Sequence, residues 1–203
     1  WLVSDDDEIC EDTLDWLLGQ LSDPERGNRL ALIHLNVTIR ERDGVIVHER
    51  VHPFYEDRYS DPGIPLFEVC SAFADVSMIL SSSIYCAEVV REAVLRWAGM
   101  ARNLAFPTYL AGYAAARGAM LLRATPSVTC LKDSSSFIPF GALIDYYDVP
   151  EVYWILSQER YSRKFIRSRI LNRLLVFKFI AKYPAEFIKS LRFYIDAWRM
   201  KER

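Results

Sequence analysis

The chain has 203 residues, 51% of them hydrophobic and 26% charged, a composition that supports a packed core and excludes a disordered segment. Its formal charge of −2 gives no bulk attraction to polyanions. Its four cysteines, Cys10, Cys70, Cys86 and Cys130, form no CxxC pair and no Cys/His cluster, which argues against a structural zinc site and a disulfide scaffold and for a reducing compartment.

In chain order, Trp1-Leu2-Val3-Ser4 predicts the end of a buried strand, broken by Asp5-Asp6-Asp7. Leu14, Leu17, Leu18 and Leu21 recur at helical spacing within residues 10–21, with Glu8, Glu11 and Asp12 around the first turn. After the turn at Ser22–Gly27, two aliphatic runs flank Asp43-Gly44, predicting a β-hairpin over Arg29–Glu41 and Val45–Val51. Pro53, Pro62, Gly63 and Pro65 predict an exposed loop over residues 53–66. Val76–Tyr85 reads as a buried strand or tight turn carrying Ser81-Ser82-Ser83. Helices are expected over about 86–97 and 107–117, the second started by Pro107 and stopped by Gly118. Met120-Leu121-Leu122 predicts a short strand, and three helices follow over about 149–158, 160–182 and 184–201. Strands alternating with helices predict an α/β class with a helical C-terminal tail. No ~18-residue apolar run is present for a membrane span.

The charge is unevenly placed. Residues 160–203 carry 13 Lys/Arg against Glu186, Asp196 and Glu202, a local balance of +10, whereas residues 1–159 hold 12 basic and 24 acidic residues, a balance of −12. Such a split points to nucleic acid or an anionic membrane surface. With no nucleic-acid motif accompanying the charge, the excess of basic residues in the last helices favours an anionic bilayer surface, while their apolar faces favour packing on the α/β body.

Three consecutive carboxylates after a hydrophobic segment repel one another unless a cation or water neutralises them, and hard oxygen ligands suit Mg²⁺ or Mn²⁺. A solvated acidic cluster at a helix start is the plainer alternative. His34, His48 and His52 fall in the hairpin region and read as ordinary strand or surface histidines, with no third ligand for a metal. The serines of 81–83 and 134–136 lie in no GxSxG elbow, which argues against a serine hydrolase.

Trp1-Leu2-Val3-Ser4-Asp5-Asp6-Asp7-Glu8-Ile9, with the following helix ending in Leu17-Leu18-Gly19-Gln20-Leu21, resembles the Asp-x-Asp segment of inverting family 2 glycosyltransferases, which have the GT-A fold. A second stretch, Ile79–Tyr85 through Arg117-Gly118 and Ala119–Leu122, is similar to the acceptor half of members that build bacterial surface polysaccharides. The resemblance covers residues 1–138. It implies the C-terminal portion of a nucleotide-sugar-binding αβα sandwich, with 139–203 as a basic amphipathic extension and a nucleotide-binding part upstream of Trp1. It further implies that Asp7 is a direct metal ligand, with Asp5 also on the metal side. Asp5, Asp6, Ser81 and Ser82 would face the donor. Mn²⁺ or Mg²⁺ would be the cofactor. The partners would be a nucleotide-sugar donor and a glycan or lipid-linked acceptor. The location would be cytoplasmic, peripheral at the inner face of the cell membrane. Family members place an acid at the start of the helix that ends in the Arg-Gly turn, as general base. Here that stretch, Arg102–Tyr109, has none, and Asp75 and Asp133 are the nearest substitutes in sequence. Two other readings stand beside this one: a phosphohydrolase with Asp5 as nucleophile, and a non-catalytic membrane-surface module in polysaccharide assembly.

Overall fold

The computed structural model describes residues 1–73, 79–97, 103–132, 141–171 and 183–200. The elements are β1 (Glu8–Ile9), α1 (Thr13–Leu21), β2 (Leu30–Arg40), β3 (Ile46–His48), β4 (Arg58–Ser60), α2 (Ile64–Phe73), β5 (Ser83–Tyr85), α3 (Ala87–Trp97), α4 (Phe106–Ala115), β6 (Ala119–Leu131), α5 (Gly141–Leu143), α6 (Val149–Leu156), α7 (Arg163–Leu171) and α8 (Pro184–Arg199). The protein is a mixed α/β structure with a curled mixed sheet and a helical C-terminal region.

Two long strands organise the sheet. β2 and β6 run parallel, Leu30 opposite Ala119 and Arg40 opposite Leu131. Each is flanked by short antiparallel pieces. β5 lies on the first half of β2, with Leu32 opposite Tyr85, and β3 on its end, with Ile39 opposite His48. β4 lies on the first half of β6, with Leu121 opposite Tyr59, and β1 on its second, with Glu8 opposite Thr129. Residues Leu30–Val37 are all buried, as a strand covered on both faces requires.

Side-chain alternation divides the core. Leu32, Met120 and Leu122 face the helical layer, where Phe67, Tyr113, Tyr153, Ile166 and Phe193 complete one cluster. Ile33, Leu35, Val37, Leu121 and Val128 face the other side, covered by Leu17 of α1. The C-terminal helices thus share a core with the sheet. Gly112 on α4 permits their approach: a Cβ there would stand 2.5 Å from Leu156 Cδ1. Tyr161 Oη donates to Gly112 O at 2.5 Å, and Arg117 grips Glu159 through Nη1 at 2.8 Å and Nη2 at 3.1 Å.

The predicted hairpin forms, its turn closed by Glu41 N donating to Val45 O at 2.8 Å and by Gly44 at φ +91°, where a side chain is strained. Helices α3 and α4 lie where breakers and periodicity predict them. Four expectations change. Trp1, Leu2 and Val3 are exposed and form no strand. Of the leucine row on α1 only Leu17 is buried; Leu14, Leu18 and Leu21 are exposed. The expected loop of 53–66 contains strand β4 and the start of α2, because Ile64, Leu66 and Phe67 pack into the helical layer. The short strand at Met120–Leu122 is the beginning of the 13-residue β6.

Pro126 is the reason β6 is hard to read. A proline cannot donate to a ladder and is tolerated at irregularities. The register jumps on both sides of it, with Leu35 opposite Arg123, Asn36 opposite Pro126 and Val37 opposite Val128, so β6 carries three extra residues over this stretch. Asn36, fully buried, repairs the break. Its Nδ2 donates to Ala124 O at 2.9 Å and His52 O at 2.8 Å, while its Oδ1 accepts from Val37 N at 3.0 Å and His52 N at 2.9 Å. Asp57 Oδ1 accepts from Ala124 N at 2.8 Å. The neighbouring Arg123, buried, meets Asp12 at 2.6 Å and lies 4.8 Å over the Trp16 ring, fastening α1 to this bulge.

Candidate functional site

The acidic segment sits toward the carboxyl ends of the parallel strands. Glu8 and Ile9 pair with Thr129 and Val128, and Arg40, at the end of β2, pairs with Glu8. In open α/β sheets ligands bind outside the carboxyl ends of parallel strands. Asp5 is exposed, whereas Asp6 and Asp7 are half-buried. Ser4 Oγ donates to Asp6 Oδ1. Asp7 lies beside Cys130, whose thiol is pushed up by burial first and then by the neighbouring Asp7 and Asp6 carboxylates.

Residues 79–83 meet this segment from the other side. Trp1 Nε1 donates to Ser81 O at 2.9 Å, and Ser4 N donates to Ser81 Oγ at 2.8 Å. Leu80–Ser82 form a single helical turn, and Ser82 Oγ donates back to Ile79 O at 2.7 Å. Ser81, Ser82 and Ser83 are all fully buried. The structure therefore sets Trp1 and Ser4, just ahead of the acidic triplet, against Ser81, while the Ser82 hydroxyl turns back to its own helical turn. It assigns the Ser81 hydroxyl to holding the acidic segment, whose backbone it accepts from. Asp75 and Asp133 lie outside the described residues.

Sequence reasoning missed the interior behind this junction. His34, read as an ordinary strand histidine, is buried with His52; their Nε2 atoms are 3.0 Å apart. His34 Nδ1 lies 3.0 Å from Ser83 Oγ. One Nε2 must carry a proton and the other accept it. With His34 as donor, its Nδ1 accepts the Ser83 hydroxyl; with His52 as donor, His34 Nδ1–H donates to Ser83 Oγ. His52 Nδ1 has no partner among the described residues. Burial drives His34 down to about 3, helped by His52, and His52 down to about 4, so both rings are neutral at pH 7. A cavity of about 10 Å³ beside them is lined by Phe67, Cys70 and Ser71. His48 is exposed on β3 and takes no part. The His34–His52 pairing follows from the chain folding back across Asn36, which bonds the His52 backbone.

A buried carboxyl also escaped notice. Asp148 ends the π turn Ile144–Asp148 that joins α5 to α6, and its Oδ2 accepts from Leu104 N at 3.0 Å, next to the start of α4. Burial, the largest influence, and the nearby Glu151 push it up to about 6, although the Leu104 hydrogen bond opposes them. Asn103 Nδ2 donates to Glu151 Oε2 at 2.9 Å and to Asp148 O at 3.0 Å. A buried carboxyl thus stands beside Leu104, although residues 102–109 themselves carry no acid. Its sequence signal was Asp148 standing just before Val149-Pro150 at a helix start.

Among the described residues no three metal-ligating side chains converge. The donors the acidic segment does offer are hard carboxylate oxygens, and the raised Cys130 thiol stays protonated. Such a set suits Mg²⁺ or Mn²⁺ completed by water and phosphate oxygens, and not a thiolate-bound metal. No protein-family model, no curated protein and no solved structure matches the chain.

Proposed function

We propose that this chain is the acidic-motif and acceptor side of a GT-A-type inverting glycosyltransferase, moving a sugar from a nucleotide-sugar donor to a glycan or lipid-linked acceptor. The observation that carries the reading is the junction of the Asp5–Asp7 segment with Ser81 near the carboxyl ends of β2 and β6. Those two stretches, more than seventy residues apart, are also the ones that carry the family likeness.

In this reading Asp7 and Asp5 hold a divalent cation, which supplies charge neutralisation for a departing diphosphate. Ser81 and Ser4 keep the segment in place, and Asp6 is held by Ser4. For the proton acceptor we put forward Asp148, since a carboxyl raised toward 6 is matched to general-base work near neutral pH.

The test is thermal denaturation with a nucleoside diphosphate and Mn²⁺, which should raise the melting temperature of the wild-type chain. Asp7→Ala should abolish the shift. Asp148→Asn should retain it while slowing transfer sharply, the residual rate lacking the acid limb near pH 6. A shift that persists in Asp7→Ala, or none in wild type, overturns the assignment.

A further inference from the structure

The last helix has two apolar faces, and the body uses one. Ser190, Phe193, Tyr194 and Ala197 are buried, with Phe193 against Tyr147 and Trp154. On the outer side Ile188 is 67%, Ile195 46% and Trp198 70% exposed. At 3.6 residues per turn these three fall within about 80° of one another. Lys189, Arg192 and Arg199 border this strip and are exposed as well. Beside it runs a cleft of about 540 Å³ between α7 and α8, lined by Tyr161, Arg163, Asp196 and Arg199 among others. The face packed on the body and the exposed apolar strip thus lie on different sides of one helix.

We propose that this outer face of α8, with the adjoining α7–α8 cleft, docks on an anionic phospholipid bilayer. The apolar strip enters the headgroup boundary, Trp198 sits at the interface, and Arg163 and Arg199 meet lipid phosphates. No helix among the described residues is long and apolar enough to cross a membrane, so the contact is in-plane. Charge selects this occupant over the others. Among the described residues of this region, eight Lys/Arg stand against Glu186 and Asp196, a balance of +6 that attracts an anionic surface, while the −12 of residues 1–159 is repelled by it, which favours approach by this end. A two-fold pairing of this face with the same face of a second copy would set like charges against each other. A nucleic acid would leave the Ile188–Ile195–Trp198 strip in water.

The experiment is vesicle flotation of the full chain, comparing pure phosphatidylcholine with vesicles of roughly one-third phosphatidylglycerol. Binding is expected only to the anionic vesicles. Arg199→Glu, and separately Trp198→Ser with Ile195→Ser, should each weaken it roughly tenfold or more. All these positions are exposed, so melting temperatures should match wild type. Binding that survives loss of Trp198 and Ile195 but not charge reversal would mark a general polyanion surface and overturn the proposal. So would full displacement of vesicles by inorganic pyrophosphate, equal binding to duplex DNA, Trp198-dependent dimerisation on a sizing column, or no flotation with either vesicle. None of these outcomes depends on nucleotide binding, so this proposal and the transferase assignment fail separately.

Discussion

Replacing Asn36 with leucine is expected to destabilise the protein by about 3–5 kcal/mol, a large share of the stability of an ordinary domain. The side chain is fully buried and serves four backbone groups: the N–H of Val37, both groups of His52 and the carbonyl of Ala124. Leucine has a similar volume and satisfies none of them, and each orphaned buried group costs about 1–3 kcal/mol before relaxation. Asn36→Asp keeps the acceptor for the two N–H donors and loses both donated bonds, so it should fall between wild type and leucine. Urea denaturation of the three proteins checks this. A loss below about 1 kcal/mol for leucine would mean that the β6 irregularity is held by something other than Asn36.

Acid is expected to weaken the fold through the His34–His52 pair. Burial lowers both rings below their ordinary value of 6.5, to about 3 and about 4. Between pH 6.5 and 4 the unfolded chain therefore binds protons at these positions that the folded chain does not. Stability is fully present above pH 6.5 and falls as pH drops through the window. Linkage puts the loss at about 3–6 kcal/mol by pH 4. Asp148, raised to about 6, works in the opposite sense, holding a proton in the folded state over part of the same range. The comparison that isolates the histidines is wild type against His34→Gln with His52→Asn. The double variant should start lower at pH 7, for it disrupts the contact with Ser83, and should lose far less on acidification. Parallel profiles would show that these rings do not govern acid stability.

These two sites also mark where sequence reasoning stopped. Asp43-Gly44 is a local signal, and the hairpin it specifies appears with a left-handed glycine at the turn. Pro107 and Gly118 likewise bracket α4. β6 lost its second half to Pro126 because the compensation lies elsewhere: the carbonyl and amide freed at Ala124 are met by Asn36 and Asp57. His34 and His52 look like unremarkable strand residues until β5 brings Ser83 opposite His34. The acidic triplet was legible as a cluster, but its tie to Ser81 spans more than seventy positions and leaves no periodic trace. Helix α8 shows the limit of amphipathic patterning. With apolar residues on two sides, the sequence does not say which of them the body takes, and the packing of Phe193 on Trp154 decides it.

The two strands at the centre of the sheet meet only after residues 41–118 have been made, since Arg40 pairs with Leu131 and Leu30 with Ala119. Pairings so distant along the chain form slowly and late. During synthesis the eight buried positions Leu30–Val37, six of them apolar, therefore leave the ribosome well before their parallel partner exists. The nascent protein passes through a stage in which its stickiest strand has only the hairpin piece and then β5 beside it. Any condition that shields that strand until β6 is complete is therefore expected to raise the yield of folded molecules.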